Sequence, residues 1–367
     1  MRILLTVPDL DVASGGPSVV VAGVAAALAR QGHSVALAYR ESPIQERVAL
    51  PEGLFCMPVA PHRNVLMRLR SYYSTVSCVF REWRPDIVHD HGLWLPENAA
   101  AMLAARHAYC TLVSQPCGML QEWPMSQRPL KKMLAWHGYQ RRLMAHASAV
   151  IVTSHREQTE TDARLRRKGL TYRIPHGVDL PTLPSSRARQ RQAVFMGRLH
   201  PVKQVDMLLR AWALLKPAGW RFMIAGCGDP TYEQHLHDLA QQLSVTDSVQ
   251  FVGLVQGSDK ANLLASSQLF LQPSLQENFG LAVAEAMAHG LPVLTTQAMP
   301  WEEVVAARCG WSVPAHLHAI QAALAEALAL PSEELLAMGT RARELAASYS
   351  WKKSTQQLID IYHHVLN

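Results

Sequence analysis

Cysteine is scarce and scattered. Six residues, Cys56, Cys78, Cys110, Cys117, Cys227 and Cys309, are spread over 367 positions with no CxxC spacing. That excludes a disulfide framework and a zinc site of the usual spacing, and it suits a reducing compartment. Long apolar runs are missing too. The longest, Val19 to Ala29, is too short to span a bilayer. The start, MRILLTVP, enters a strand pattern at once, without the charged, apolar and small-residue regions of a secretory leader. The expectation is therefore a cytoplasmic protein. Charged residues are only 17% against 49% hydrophobic, which argues against a disordered chain. At this length two domains are more comfortable than one core.

The formal charge of +6 is unevenly distributed. Residues 1–180 carry 21 Lys and Arg against 14 Asp and Glu; residues 181–367 carry 14 against 15. The surplus sits entirely in the first half. It is either a well-solvated surface or a match to an anionic partner of that half alone.

Strand and helix patterns alternate throughout. RILLTV, SVALAY, LFCMPV, DIVHDH, CTLVSQ and AVIVTS read as strands, with helices over Pro17–Gln31, Val65–Trp83, Glu97–Arg106 and Leu130–Ala145. Apolar strands separated by helices imply a parallel sheet covered on both faces. The stretch IPHGVDLPTLPSSRARQRQ breaks the pattern and reads as a flexible interdomain linker. Alternation resumes with AVFMG, RFMIAG, VQFVG, LFLQP and LPVLTT as strands, and the tail is helical from Ala319. Two tandem α/β domains would leave a cleft between them, and open α/β sheets bind ligands outside the carboxyl ends of their strands.

Two motifs carry chemistry. In GRLHPVK, Arg198 and Lys203 follow a strand and precede a helix, where a guanidinium fork, an ammonium and helix amides suit a diphosphate. Exposed cations in loops are also common, and spacing alone does not choose. In SLQENFGLAVAEA, Glu277 lies in the loop after a strand and Glu285 within a helix begun at Gly280 and stopped by His289-Gly290. Eight positions at 100° per residue put the two acids on different azimuths. They could grip the hydroxyls of two different sugars, or one could cap the helix and the other be solvated. A glycosidase pair facing across one bond does not fit this spacing and would leave Arg198 and Lys203 without a role. IAGCGD at 224–229 is a glycine turn but not a dinucleotide fingerprint.

G-R-L-x-P-x-K at 197–203 with E-N-F-G-x-x-x-x-E-A at 277–286 resembles the retaining GT-B glycosyltransferases of family 4, the group 1 glycosyl transferases, of the kind that assembles lipopolysaccharide and exopolysaccharide. Gly15-Gly16, PDIVHDHGLW at 85–94 and IPHGVD at 174–179 agree, so the likeness covers nearly the whole chain. It implies a GT-B fold of two Rossmann-like domains: acceptor-binding at 1–178, donor-binding at 190–349, and a last helix, 350–367, crossing back to the first domain. It implies a UDP- or GDP-sugar donor, a glycan or lipid-linked saccharide acceptor, no metal, no other cofactor and no nucleic acid. Arg198 and Lys203 would hold the diphosphate, Glu277 the donor sugar and Glu285 the ribose. Asn278, Phe279, Gly280 and Leu281 would present backbone to the sugar and phosphates. Gly16 would let the first loop approach the diphosphate, and Gly253 in FVGLV would lie beside the nucleobase. The acceptor would attack on the face from which the nucleoside diphosphate leaves. A UDP-sugar 2-epimerase-like enzyme or a non-catalytic nucleotide-sugar binder shares the architecture.

The chain departs from the family pattern at three places. Gln204 replaces a glycine, His176 an asparagine, and Cys117 the histidine or arginine that precedes a glycine. His91 is the substitute candidate for acceptor-side assistance. His89 and His91 point to one side of a strand, but no third metal ligand is evident. Finally, residues 63–84 and 128–142 each carry five cations with interleaved aromatics: Tyr72, Tyr73, Phe80 and Trp83 in the first, Trp136 and Tyr139 in the second. Arg68, Arg70, Lys131 and Lys132 are expected to dock the first domain on the anionic inner face of the cytoplasmic membrane.

Overall fold

The computed structural model describes residues 1–11, 15–42, 47–167, 169–183 and 189–367. The chain divides into two compact units, Met1–Gly177 with Trp351–Asn367, and Val178–Ser350.

The first unit holds seven parallel strands: β1 (Arg2–Val7), β2 (Ser34–Arg40), β3 (Phe55–Val59), β4 (Ile87–His91), β5 (Thr111–Gln115), β6 (Ala149–Val152) and β7 (Thr171–Arg173), in the order β3-β2-β1-β4-β5-β6-β7. The second holds six: β8 (Gln192–Met196), β9 (Arg221–Ala225), β10 (Val249–Gly253), β11 (Leu269–Gln272), β12 (Val293–Thr296) and β13 (Gly310–Val313), in the order β10-β9-β8-β11-β12-β13. Strands such as β4, β8 and β11 are buried at every residue; β8 and β11 are mostly apolar, whereas β4 carries His89, Asp90 and His91 into the interior. In each sheet the strand order reverses beside the first strand, at β1/β4 and at β8/β11. The loops leaving those strands are where an open α/β sheet builds a site.

The terminal helix Trp351–Leu366 packs within the first unit. Trp351 lies over Gly23 and Gly177, where an added Cβ would fall 2.1 Å and 2.3 Å from its ring. Farther along, Tyr362 is fully buried, its hydroxyl 2.7 Å from His89 Nδ1. The chain leaves the first unit after Gly177 and returns at Trp351. Exit and return run side by side, because the Val178 amide donates to the Tyr349 carbonyl at 2.8 Å.

Three sequence expectations change. The helix expected over 130–145 is broken into helical Pro129–Ala135, a wide five-residue turn at Trp136–Gln140 and helical Arg141–Met144; the wide turn buries both Trp136 and Gln140. The strands Thr171–Arg173 and Gly310–Val313 were not anticipated. The linker is tethered rather than free. His176 and Val178 are buried, Arg343 donates to the Pro181 carbonyl at 2.6 Å, and Arg189 donates to the Ser267 and His289 carbonyls at 2.7 and 2.6 Å. Residues 184–188 of that linker lie outside the described residues.

Candidate active site

In the second unit the loops after β8 and β11 meet. The Leu275 amide donates to the Val202 carbonyl at 2.8 Å, which ties one loop to the other. Across that tie the Lys203 ammonium pairs with Glu277 Oε1. Gln272 Nε2 at 3.0 Å and Ser274 Oγ at 2.9 Å donate to the same oxygen. Gln272 ends β11 and Ser274 follows it, so the strand itself aims Glu277. Arg198, just past Gly197 at the end of β8, is exposed. The structure thus brings Lys203, Arg198 and Glu277 to the ends of neighbouring strands at the switch point.

Glu285 stands apart from Glu277, as their azimuths require. It lies on the helix Leu281–Ala288 and accepts a bond from Lys260 at 2.8 Å. Phe279 turns inward. Its ring packs at a tilt against Trp301, centroids 5.2 Å apart, and edge-to-face against Tyr349 at 5.8 Å, and the Trp301 indole donates to the Phe279 carbonyl at 2.6 Å. This aromatic floor holds the segment Asn278–Leu281 in place. Gly280 has φ 79°, and a Cβ there would lie 3.0 Å from Trp301 Nε1, so both conformation and space require glycine. Gly253 closes β10 at φ 70° and is exposed.

Sequence reasoning passed over two residues here. His200 Nδ1 accepts from the Val202 amide at 3.2 Å, which fixes the proton on Nε2. Burial, then the charges of Arg198 and Lys203, lower its pKa. Lys260, on the helix Gly257–Ser266, is the other.

In the first unit, Gly15 caps the helix Gly16–Arg30 at φ 84°, and Gly16 opens it with nothing within 4 Å of where a side chain would start. The left-handed backbone falls on Gly15 and the open space on Gly16. His91 is a correction. Its ring is fully enclosed, stacked on His89 with centroids 4.3 Å apart, and burial lowers its pKa to about 4. A ring with no exposed atom cannot meet an acceptor, so it is a core histidine. Cys117 does not fill the role either, because burial raises its thiol pKa steeply and it donates to the Gln115 carbonyl at 3.3 Å. Among the described residues no three His, Cys, Asp or Glu side chains are grouped to hold a metal ion.

The basic segments also change. Arg68 is engaged bidentately by Glu97, at 2.8 and 2.7 Å, and Glu97, buried at 1% exposure, also faces Arg40. Arg40 in turn reaches Asp9 at 3.1 Å. Arg68 therefore neutralises a buried acid and offers little charge outward. Lys132 donates to the Pro124 carbonyl, and burial lowers its pKa. Arg70 and Lys131 are exposed as expected. Tyr72 and Trp136 are core residues, whereas Leu66, Leu130 and Leu134 are exposed at 74%, 70% and 70%. Trp94 lies between the two segments, 6.3 Å from Trp136 and three residues before Glu97.

Residues 184–345 match the family described as glycosyl transferases group 1, and residues 15–177 match the glycosyl transferase 4-like domain. A D-inositol 3-phosphate glycosyltransferase of Saccharomonospora viridis is 32% identical over 53% of this chain and 50% of its own. One from Mycolicibacterium paratuberculosis is 28% identical over 77% of this chain and 67% of its own. The first-named match thus spans half the length of that relative. Among solved structures, HepE of Anabaena in complex with UDP and glucose superposes with TM-score 0.77 at 20% identity, covering 99% of this chain and 100% of that one. WaaG, a glycosyltransferase involved in lipopolysaccharide biosynthesis, does so with TM-score 0.74 at 19%, covering 98% and 99%. The fold is GT-B.

Proposed function

This chain belongs to the group 1 glycosyl transferases, and from that premise we propose that it moves a hexose from a nucleoside-diphosphate sugar to a saccharide acceptor, with retention of anomeric configuration and without a metal. The observation that carries this is the meeting of Lys203 and Glu277 beside Arg198 where the strand order reverses. The second unit binds the donor and the first the acceptor. Arg198 and Lys203 hold the diphosphate and offset the negative charge that grows on it as the bond to the sugar breaks. Glu277 accepts hydrogen bonds from the sugar and Glu285 from the ribose. The backbone of 278–281 faces sugar and phosphate, Gly16 approaches the diphosphate and Gly253 flanks the base. The acceptor hydroxyl attacks from the face the phosphate leaves, and the departing phosphate takes its proton. The likeness to HepE, which binds UDP and glucose, supports a nucleotide donor, and the likeness to WaaG, involved in lipopolysaccharide biosynthesis, supports a role in polysaccharide assembly of that kind.

The acceptor is read as lipid-linked, met on the inner face of the cytoplasmic membrane. The cationic excess of residues 1–180 and the exposed Leu66, Leu130 and Leu134 among Arg70 and Lys131 support that reading. Product analysis tests the whole. The protein is incubated with labelled UDP- and GDP-sugars, with and without a chelator, and lipid-linked acceptors, and the new linkage is assigned by NMR. An α-linked product from an α-donor, formed equally in chelator, is expected. Release of a free 2-epimer would identify an epimerase instead. Binding with no turnover on any acceptor would leave a nucleotide-sugar binder.

A further inference from the structure

Glu285 is a long acid that emerges from the middle of the helix Leu281–Ala288 beside no other charged group of its own element. Its sequence context, LAVAEAMA, supplies only apolar neighbours. The group that meets it comes from elsewhere: Lys260, on the helix that follows β10 and the Gly253 segment, with Nζ 2.8 Å from Oε1. Both side chains are mostly covered, at 32% and 20% exposure, so the pair is screened less than a surface pair. The ammonium bond anchors one carboxylate oxygen and narrows the range of side-chain conformations open to the acid. The other oxygen is left to accept from a ligand. A carboxylate that must accept from one particular hydroxyl gains from being held so, since part of the ordering of its side chain is made before the ligand arrives.

We propose that Lys260 is a positioning residue for Glu285, and that through it the site distinguishes a ribonucleoside diphosphate from its deoxy counterpart. This rests on the reading that Glu285 accepts from ribose. Lys260 touches neither sugar nor phosphate; its effect reaches the ligand only through the acid. Because its helix also begins a few residues after Gly253, the lysine joins the element beside the base to the one beside the ribose.

Calorimetry of the full chain tests this. UDP, GDP and the 2′-deoxy and 3′-deoxy forms of whichever binds are titrated into wild type, Lys260→Met, Lys260→Arg, Glu285→Gln and the double variant. Wild type should prefer the ribonucleotide over at least one deoxy form. Lys260→Met should weaken the ribonucleotide roughly tenfold, the worth of a hydrogen bond to a charged group. It should leave that deoxy form unchanged, and Lys260→Arg should recover most of the loss. The double variant should be no worse than Glu285→Gln. Equal weakening of ribo and deoxy forms, tighter binding, or no change in Lys260→Met overturns the positioning role. A ribo-to-deoxy ratio untouched by Glu285→Gln overturns the ribose reading itself, as does failure of wild type to bind UDP or GDP. Should Lys260→Met not fold, Lys260→Gln removes the charge at similar length and is read in the same way.

Discussion

Gln204 holds a backbone that glycine would hold with less strain. Its φ is 54°, it closes the short turn Pro201–Lys203 and opens the helix Val205–Leu215, and its Oε1 is buried without a partner among the described residues. Gln204→Gly should therefore stabilise the second unit by about 1 kcal/mol, a rise in melting temperature of about 2–4 °C. A lower melting temperature by calorimetry would show that the side chain is needed. Lys203 poses a different problem. It is bonded to Glu277 now, and a diphosphate would compete for the same ammonium. Glu277→Gln should thus abolish most transfer yet leave affinity for the bare nucleoside diphosphate equal or higher. Lys203→Ala and Arg198→Ala should each cost roughly a hundredfold in turnover. Weaker nucleotide binding in Glu277→Gln would contradict the competition. The motif residues were legible because strand-end glycines and charges announce them. Lys260 was not, since its partner lies 25 positions away on another helix. Arg68 was misread because a single sequence does not show that Glu97, 29 positions on, faces it.

At the scale of elements, the end of β4 is a buried titrating cluster. Burial lowers His91 to about 4 and His176 to about 3, and raises Asp90 to about 8 despite its bonds from Thr6 and Asn98. The two effects act in opposite directions over overlapping pH ranges. As pH falls below about 6.5 the unfolded histidines take up protons that the folded ones refuse, and stability is lost toward pH 3–4. As pH rises from about 4 to 8 the unfolded Asp90 releases a proton that the folded one keeps, and stability is lost again. Asp90→Asn should remove the second slope: its melting temperature relative to wild type should climb between pH 5 and 8. A parallel pair of curves would mean that Asp90 is ionised in the fold. The strand and helix order was readable from periodicity for nearly every long element. β7 is three residues long, and every residue of β13 is partly exposed, so neither gives an apolar run to find. The break at Trp136–Gln140 escaped because a helical pattern looks the same whether or not one turn is widened.

For the molecule as a whole, the asymmetry between a basic first half and a nearly neutral second half is the strongest statement about surroundings. Each exposed cation near an anionic leaflet contributes about 1 kcal/mol. Sedimentation with anionic vesicles at low salt should pellet the protein; neutral vesicles or added salt should not. Charge reversal should use Arg70 and Lys131, joined by Leu130→Asp and Leu134→Asp. Reversing Arg68 would instead set a second acid against the buried Glu97, with Arg40 as its remaining cationic partner, at a cost of about 3–5 kcal/mol. Recovery that is equal with both vesicle types, or absent with both, would remove the membrane from the proposal. The two-domain architecture was legible from the repeated strand–helix alternation and the break near residue 175. The tethering of that break by Arg189 and Arg343 was not, because an arginine that grips a distant carbonyl looks like any other basic linker residue.

The discontinuous first unit has a consequence for how the protein is made. Residues 351–367 leave the ribosome only after all of Val178–Ser350, so the second unit can fold while the first still lacks its last helix. Until then Gly23 and Gly177 have no Trp351 above them and His89 has no Tyr362. Translation therefore imposes an order of assembly. A chain ending at residue 350 and released from the ribosome should already resist protease across the second unit, while the first remains a substrate for proteases and a client for chaperones.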